Sequence, residues 1–180
     1  MPLQNRILAT NDSREGILSI VAADGFLANP NKEIDFTQAW EIAHANYQKA
    51  TKSHIIRVGG IDLGDKMAIT YNRGDKDVAT CFDLSIQFQE IPLMTVRFDY
   101  GASVINPKHP PKGVLGGRIQ GPLYYDWMDN KSLIEKPLNE FPVFARKLSA
   151  SAIDFRSTVQ LMMNKCNISL TPGGMIPAKP

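Results

Sequence analysis

The sequence predicts an α+β fold: a single domain in which an antiparallel β-sheet of about five or six strands is packed by two amphipathic helices. Three observations carry that expectation. A chain of 180 residues, 43% hydrophobic and 21% charged, suits one domain that buries its own core without a disulfide or metal staple. The stretch CFDLSIQFQEIPLMTVRFDYG, residues 81–101, alternates apolar and polar side chains with period two. Two further segments, 35–52 and 142–165, repeat apolar residues at helical spacing.

In chain order, ILSIVAADGFL (17–27) is an apolar run too short to separate a strand from a short helix. The turn NPNK precedes DFTQAWEIAHANYQKATK, where Phe36, Trp40, Ala43, Tyr47 and Ala50 fall on one helical face. Asp35 and Gln38 have the spacing of a capping box there, with Ile34 placed to staple onto Ala39. HIIRV (54–58), closed by Gly59-Gly60, and KMAITY (66–71) read as strands, and NRGDKD (72–77) as a turn. In the alternating stretch, Phe82, Leu84, Ile86 and Phe88 share a face, as do Met94, Val96, Phe98 and Tyr100. The opposite positions are mostly Asp, Ser, Gln, Thr and Arg. That division predicts two antiparallel strands forming a core wall; a nucleic-acid platform places aromatics among basic residues on the accessible face.

Residues 101–122 carry four prolines and five glycines and read as a long loop. LYYDWMDN follows as a short strand or docking edge. The second helix is expected from Pro142 to about Lys165, with Phe144, Leu148, Ala152, Phe155, Val159, Met162 and Cys166 along one stripe. NISL reads as a final strand, and residues 171–180 as a flexible tail that frays or docks on a neighbour.

Charge is distributed unevenly. Residues 1–100 hold 10 basic and 13 acidic side chains, and residues 101–180 hold 10 and 5. The second half therefore suits phosphate or lipid headgroups. Its loop contains Lys108, His109, Lys112 and Arg118 with no acidic residue, and Arg146 and Lys147 lie off the apolar stripe of the second helix. These six are the expected contact residues for membrane or nucleic acid. The opening residues lack a secretory apolar run, no stretch approaches the roughly 18–20 apolar residues of a membrane span, and Pro2 replaces the glycine needed for myristoylation. Membrane contact is thus expected to be peripheral, with the protein in the cytoplasm or at the inner face of a membrane.

Catalytic motifs are missing. His44, His54 and His109 fit no metal-ligand spacing, and Cys81 and Cys166 do not complete one; a reducing compartment is expected. GGIDLGD (59–65) places Asp62 and Asp65 beside glycines, where metal binding or acid–base work competes with a plain hairpin turn, and the turn is preferred. GVLGGRIQG (113–121) has neither the GKS/GKT ending nor the GxGxxG spacing of a phosphate loop. Arg73-Gly74-Asp75 and the Asn-x-Ser triplets at Asn11, Asn130 and Asn167 carry no weight without secretion. No catalytic residue, metal, cofactor or small-molecule substrate is assigned.

FDLSIQFQEIPLMTVRFDYG, followed by SASAIDFRSTVQLMMNKCNISLTPGGMIP, resembles matrix proteins of negative-strand RNA viruses in element order, the bornavirus type above all; plant rhabdovirus matrix proteins are similar in size. The resemblance spans about the last 100 residues and rests on no diagnostic motif. HPPKG is the nearest approach to a PPxY late-domain signal and lacks its tyrosine. The resemblance implies a non-enzymatic structural protein of the virion that self-associates as a homo-oligomer, touches an anionic membrane and contacts the nucleocapsid. Two alternatives stay open: a nucleic-acid-binding accessory protein of a virus, phage or plasmid, and an enzyme with an unrecognised site.

Overall fold

The computed structural model describes residues 13–73, 81–89, 91–131 and 144–179. Within them the fold is α+β and mostly sheet. The main sheet is open, and its strands are β1 (Lys32–Ile34), β2 (Glu41–Ala45), β3 (Lys49–Val58), β4 (Ile61–Asn72), β5 (Phe82–Phe88), β6 (Ile91–Phe98), β9 (Leu123–Asp126), β10 (Ala145–Lys147) and β11 (Ile168–Leu170). They lie in the order β10-β9-β6-β5-β4-β3-β1-β11, with β2 also on β3. Only the β1–β11 pair is parallel. A separate hairpin joins β7 (Ser103–Asn106) to β8 (Gly117–Gln120). The helices are α1 (Ser13–Ala28), α2 (Trp127–Asn130) and α3 (Phe155–Lys165).

The alternating stretch is a core wall. Leu84 pairs with Val96 and Ile86 with Met94, and all four are at most 2% exposed. Their inward face meets Ala23 and Phe26 of α1 and Phe155, Val159 and Met162 of α3. Phe82 and Phe98 stack at 4.9 Å, and Phe155 meets Phe82 edge-on at 5.4 Å. The outward face is held by polar pairs, Thr95–Ser85 at 3.4 Å and Arg97–Asp83 at 3.3 Å. A bulge between β5 and β6 inserts Leu93 as an extra, buried residue.

The helix expected over 35–52 does not form. Asp35 accepts a hydrogen bond from Thr37 N at 2.9 Å, which makes a local turn rather than a helix cap. Asn46 Oδ1 accepts from Gln48 N and Lys49 N, and closes the β2–β3 hairpin. Phe36 and Trp40 still reach the core, around His54, while Tyr47 is 85% exposed. The helix that covers this face instead is α1, drawn from the ambiguous run. It stops before Pro30, and buried Lys32 caps it, its Nζ donating to the carbonyls of Phe26, Leu27 and Asn29.

The helix expected from Pro142 is also shorter. Residues 132–143 lie outside the described set, Ala145–Lys147 form β10, and α3 begins at Phe155. Asp154 and Ser157 build a reciprocal capping box that starts it there. The strands expected at HIIRV, KMAITY and NISL are present within β3, β4 and β11. The tail docks on its own chain: Ile176 is buried, and its carbonyl accepts from Arg156 Nε at 3.0 Å.

Candidate functional site

The basic segment 101–122 is a folded hairpin. Val104 and Ile119 pair across it and pack on Ala102 and Leu123. Their neighbours Ile105 and Arg118 pair on the outward face. Residues 107–116 span the tip, and Asn106 holds its neck. The Asn106 amide donates to Leu115 O at 2.8 Å and Ala145 O at 2.7 Å, while its Oδ1 accepts from Ala145 N at 2.8 Å. One side chain thus serves β10 as a neighbouring peptide would, closing that edge of the sheet.

Arg146 fastens the tip to the body. Its Nε and Nη2 donate to the two carboxylate oxygens of Asp129 at 2.6 and 2.7 Å, and its Nη1 donates to Gly113 O at 2.9 Å. Hydrogen bonding to Asp129 pushes the guanidinium pKa up. Gly113 has φ +82° at this contact, a conformation that favours glycine. Val114 packs on Phe144, whose backbone N–H and carbonyl both bond the Asn130 amide. Of the six expected contact residues, Lys108, His109, Lys112, Arg118 and Lys147 are exposed; Arg146 is half-buried and engaged internally. Ile105 and Leu115 stand among them, 67% and 71% exposed. Periodicity could not reveal these two, because their exposure depends on how the hairpin turns.

A cleft of about 470 Å³ opens elsewhere, walled by α1, the start of β6, α2 and the end of α3. Leu27, Leu93, Met94 and Cys166 line it, with Lys131 and Lys165 at its charged positions. Burial pushes the Cys166 thiol up to about 12, so it is a packing group there. Two of the Asn-x-Ser asparagines have internal roles: Asn167 donates to Leu27 O at 2.9 Å, and Asn130 to Phe144 O at 3.1 Å.

The remaining titratable candidates take structural places. Asp62 Oδ1 accepts from Gly64 N at 2.8 Å inside the β3–β4 turn. Asp65 is buried and accepts from Gln89 N at 3.1 Å; burial raises its pKa. No group of three or more His, Cys, Asp or Glu side chains among the described residues is placed to hold a metal ion. His109 is exposed on the hairpin, His44 falls in β2, and the Gly74-Asp75 part of the tripeptide lies outside the described residues.

His54 is 4% exposed between Phe36 and Trp40, and burial lowers its pKa to about 4. The folded chain therefore refuses a proton that the unfolded chain takes up near pH 6.5. The stability this group contributes is full above that value and falls by about 1.4 kcal/mol per pH unit down to about pH 4. Asp65 acts in the opposite sense, since its raised pKa favours the folded state on acidification. Urea unfolding of His54→Phe beside the parent isolates the histidine: the difference in their stabilities should shrink or reverse between pH 6.5 and 4. A pH-independent difference would contradict the burial of a neutral imidazole.

No helix among the described residues is long and apolar enough to cross a membrane. No family model, curated protein or solved structure matches this chain.

Proposed function

We propose that this is a non-enzymatic structural protein that attaches peripherally to an anionic membrane surface through the β7–β8 hairpin and self-associates to do so. One observation carries the reading. Exposed apolar Ile105 and Leu115 share the hairpin with exposed Lys108, Lys112 and Arg118, in a segment without acidic residues. Cations attract the headgroups, and the two aliphatic side chains then have somewhere apolar to go. Three cations contribute about 1 kcal/mol each, which is weak attachment for one copy. Assembly into a homo-oligomer multiplies it. A matrix-like place in a virion, with nucleocapsid on the opposite side, is the biological setting that the element order implies.

A second reading, contact with nucleic acid, draws on Tyr100, which is 69% exposed just before the hairpin. Leu115→Trp separates the two. Its emission should shift to the blue, relative to the parent spectrum, when phosphatidylglycerol vesicles are added, and stay unchanged with a single-stranded oligonucleotide. The reverse pattern moves the assignment to nucleic acid.

A further inference from the structure

We infer that the cleft between α1, α2, β6 and α3 binds a small amphiphile carrying one apolar chain and an anionic head. Its volume of about 470 Å³ lies in the range of small-molecule sites. Leu27, Ala28 and the exposed Met128 give the chain an apolar bed, over the buried Leu93, Met94 and Cys166. The charged side chains select the head.

Formally two carboxylates and two ammoniums meet here, so the sign of the ligand follows from which of them has hydrogen-bonding groups to spare. Asp24 is engaged on both oxygens, by Trp127 Nε1 at 2.7 Å and by Lys131 Nζ at 2.7 Å. Asp126 Oδ1 caps α2 by accepting from Met128 N at 3.0 Å. Its Oδ2 faces Lys165 Nζ at 3.8 Å, which is an ion pair too long for a hydrogen bond. An ammonium has three donors. Lys131 gives one to Asp24, and Lys165, resting over the Tyr124 ring at 5.0 Å, gives none to Asp126. Asp126 Oδ2 is also left without a hydrogen bond, but the spare donors of the two lysines outnumber that single oxygen, and a carboxylate or phosphate head accepts them while its chain covers the apolar bed.

Nothing here depends on the hairpin, since Lys108, Lys112 and Arg118 lie outside the cleft. Failure of one assignment leaves the other standing.

Calorimetric titration of the full chain with dodecanoate, dodecanol and dodecyltrimethylammonium, each below its micellar concentration, tests the inference. Dodecanoate should bind with one site, and the neutral and cationic chains at least about tenfold more weakly, as the loss of a charge-assisted hydrogen bond requires. The double variant Lys131→Gln/Lys165→Gln should lose that preference while keeping its affinity for dodecanol. Ala28→Trp, an exposed position on the cleft wall, should block all three, with thermal unfolding confirming that it folds. Equal or tighter binding of the cationic chain, or dodecanoate binding that survives Ala28→Trp, would overturn the inference. Flotation of the double variant with phosphatidylglycerol vesicles names the source of the head. Reduced flotation assigns it to membrane lipid, and unchanged flotation to a free amphiphile; both agree with the inferred chemistry.

Discussion

A variant with Lys108, Lys112 and Arg118 all replaced by glutamine is expected to bind anionic vesicles roughly a hundredfold more weakly than the parent. Three cations at about 1 kcal/mol each give that factor. All three side chains are exposed and hold no fixed partner in the hairpin, so unfolding stability should stay within about 0.5 kcal/mol. Arg146 is different in kind. It joins Asp129 to Gly113 O, and its removal leaves a largely buried carboxylate unpaired. A charge scan that included Arg146 would confuse loss of contact with loss of the loop's shape. Co-sedimentation of the triple variant at two ionic strengths checks the expectation. Unchanged affinity would remove the hairpin from the contact, whatever else the protein binds.

The largest stability effect is expected from Phe155→Ala, a loss of about 3–5 kcal/mol. Phe155 is fully buried at the start of α3, against Phe82 at 5.4 Å and Trp40 at 6.1 Å. Phe82 is itself stacked on Phe98, so the cavity opens where the helix, the sheet and the segment before β2 all meet. Such a loss is a large fraction of the roughly 5–15 kcal/mol that stabilises an ordinary domain. Tyr47→Ala serves as the counterpart and should cost no more than about 0.5 kcal/mol, because Tyr47 is exposed at the β2–β3 turn. Urea titration of both variants checks the pair. A large cost at Tyr47 would favour the helical stripe over the strands described here, and a small one at Phe155 would contradict its place in the core.

The contrast between those two residues shows which signals survive in the sequence. Strict alternation over 82–89 and again over 94–98 names a strand pair because each step changes face, and Leu84 and Ile86 do lie opposite Val96 and Met94. Spacings of three and four are weaker evidence. Phe36 and Trp40 satisfy them and reach the core from irregular backbone, while Tyr47, on the same stripe, points to solvent. The deciding features were short-range polar ones: Asp35 and Asn46 tie their own backbones into turns, and Asp154 with Ser157 starts α3 well after Pro142. Ser at the third position of a capping box is an uncommon pairing and is easily overlooked.

The candidate surface was legible as composition, since glycine, proline and cations without acids mark 101–122 on inspection. Its shape was not. Asn106 meets Ala145 across 39 residues and Arg146 meets Asp129 across 17, and no local pattern announces either. The cleft was invisible for the same reason, because Asp24, Leu93, Asp126 and Lys165 come together only in the fold.

Flotation with phosphatidylcholine vesicles, with and without phosphatidylglycerol, at low and high salt tests the central claim most directly. The account predicts flotation only with the anionic vesicles, diminishing as salt screens Lys108, Lys112 and Arg118. Flotation independent of headgroup charge, or none under any condition, would contradict attachment through the basic hairpin.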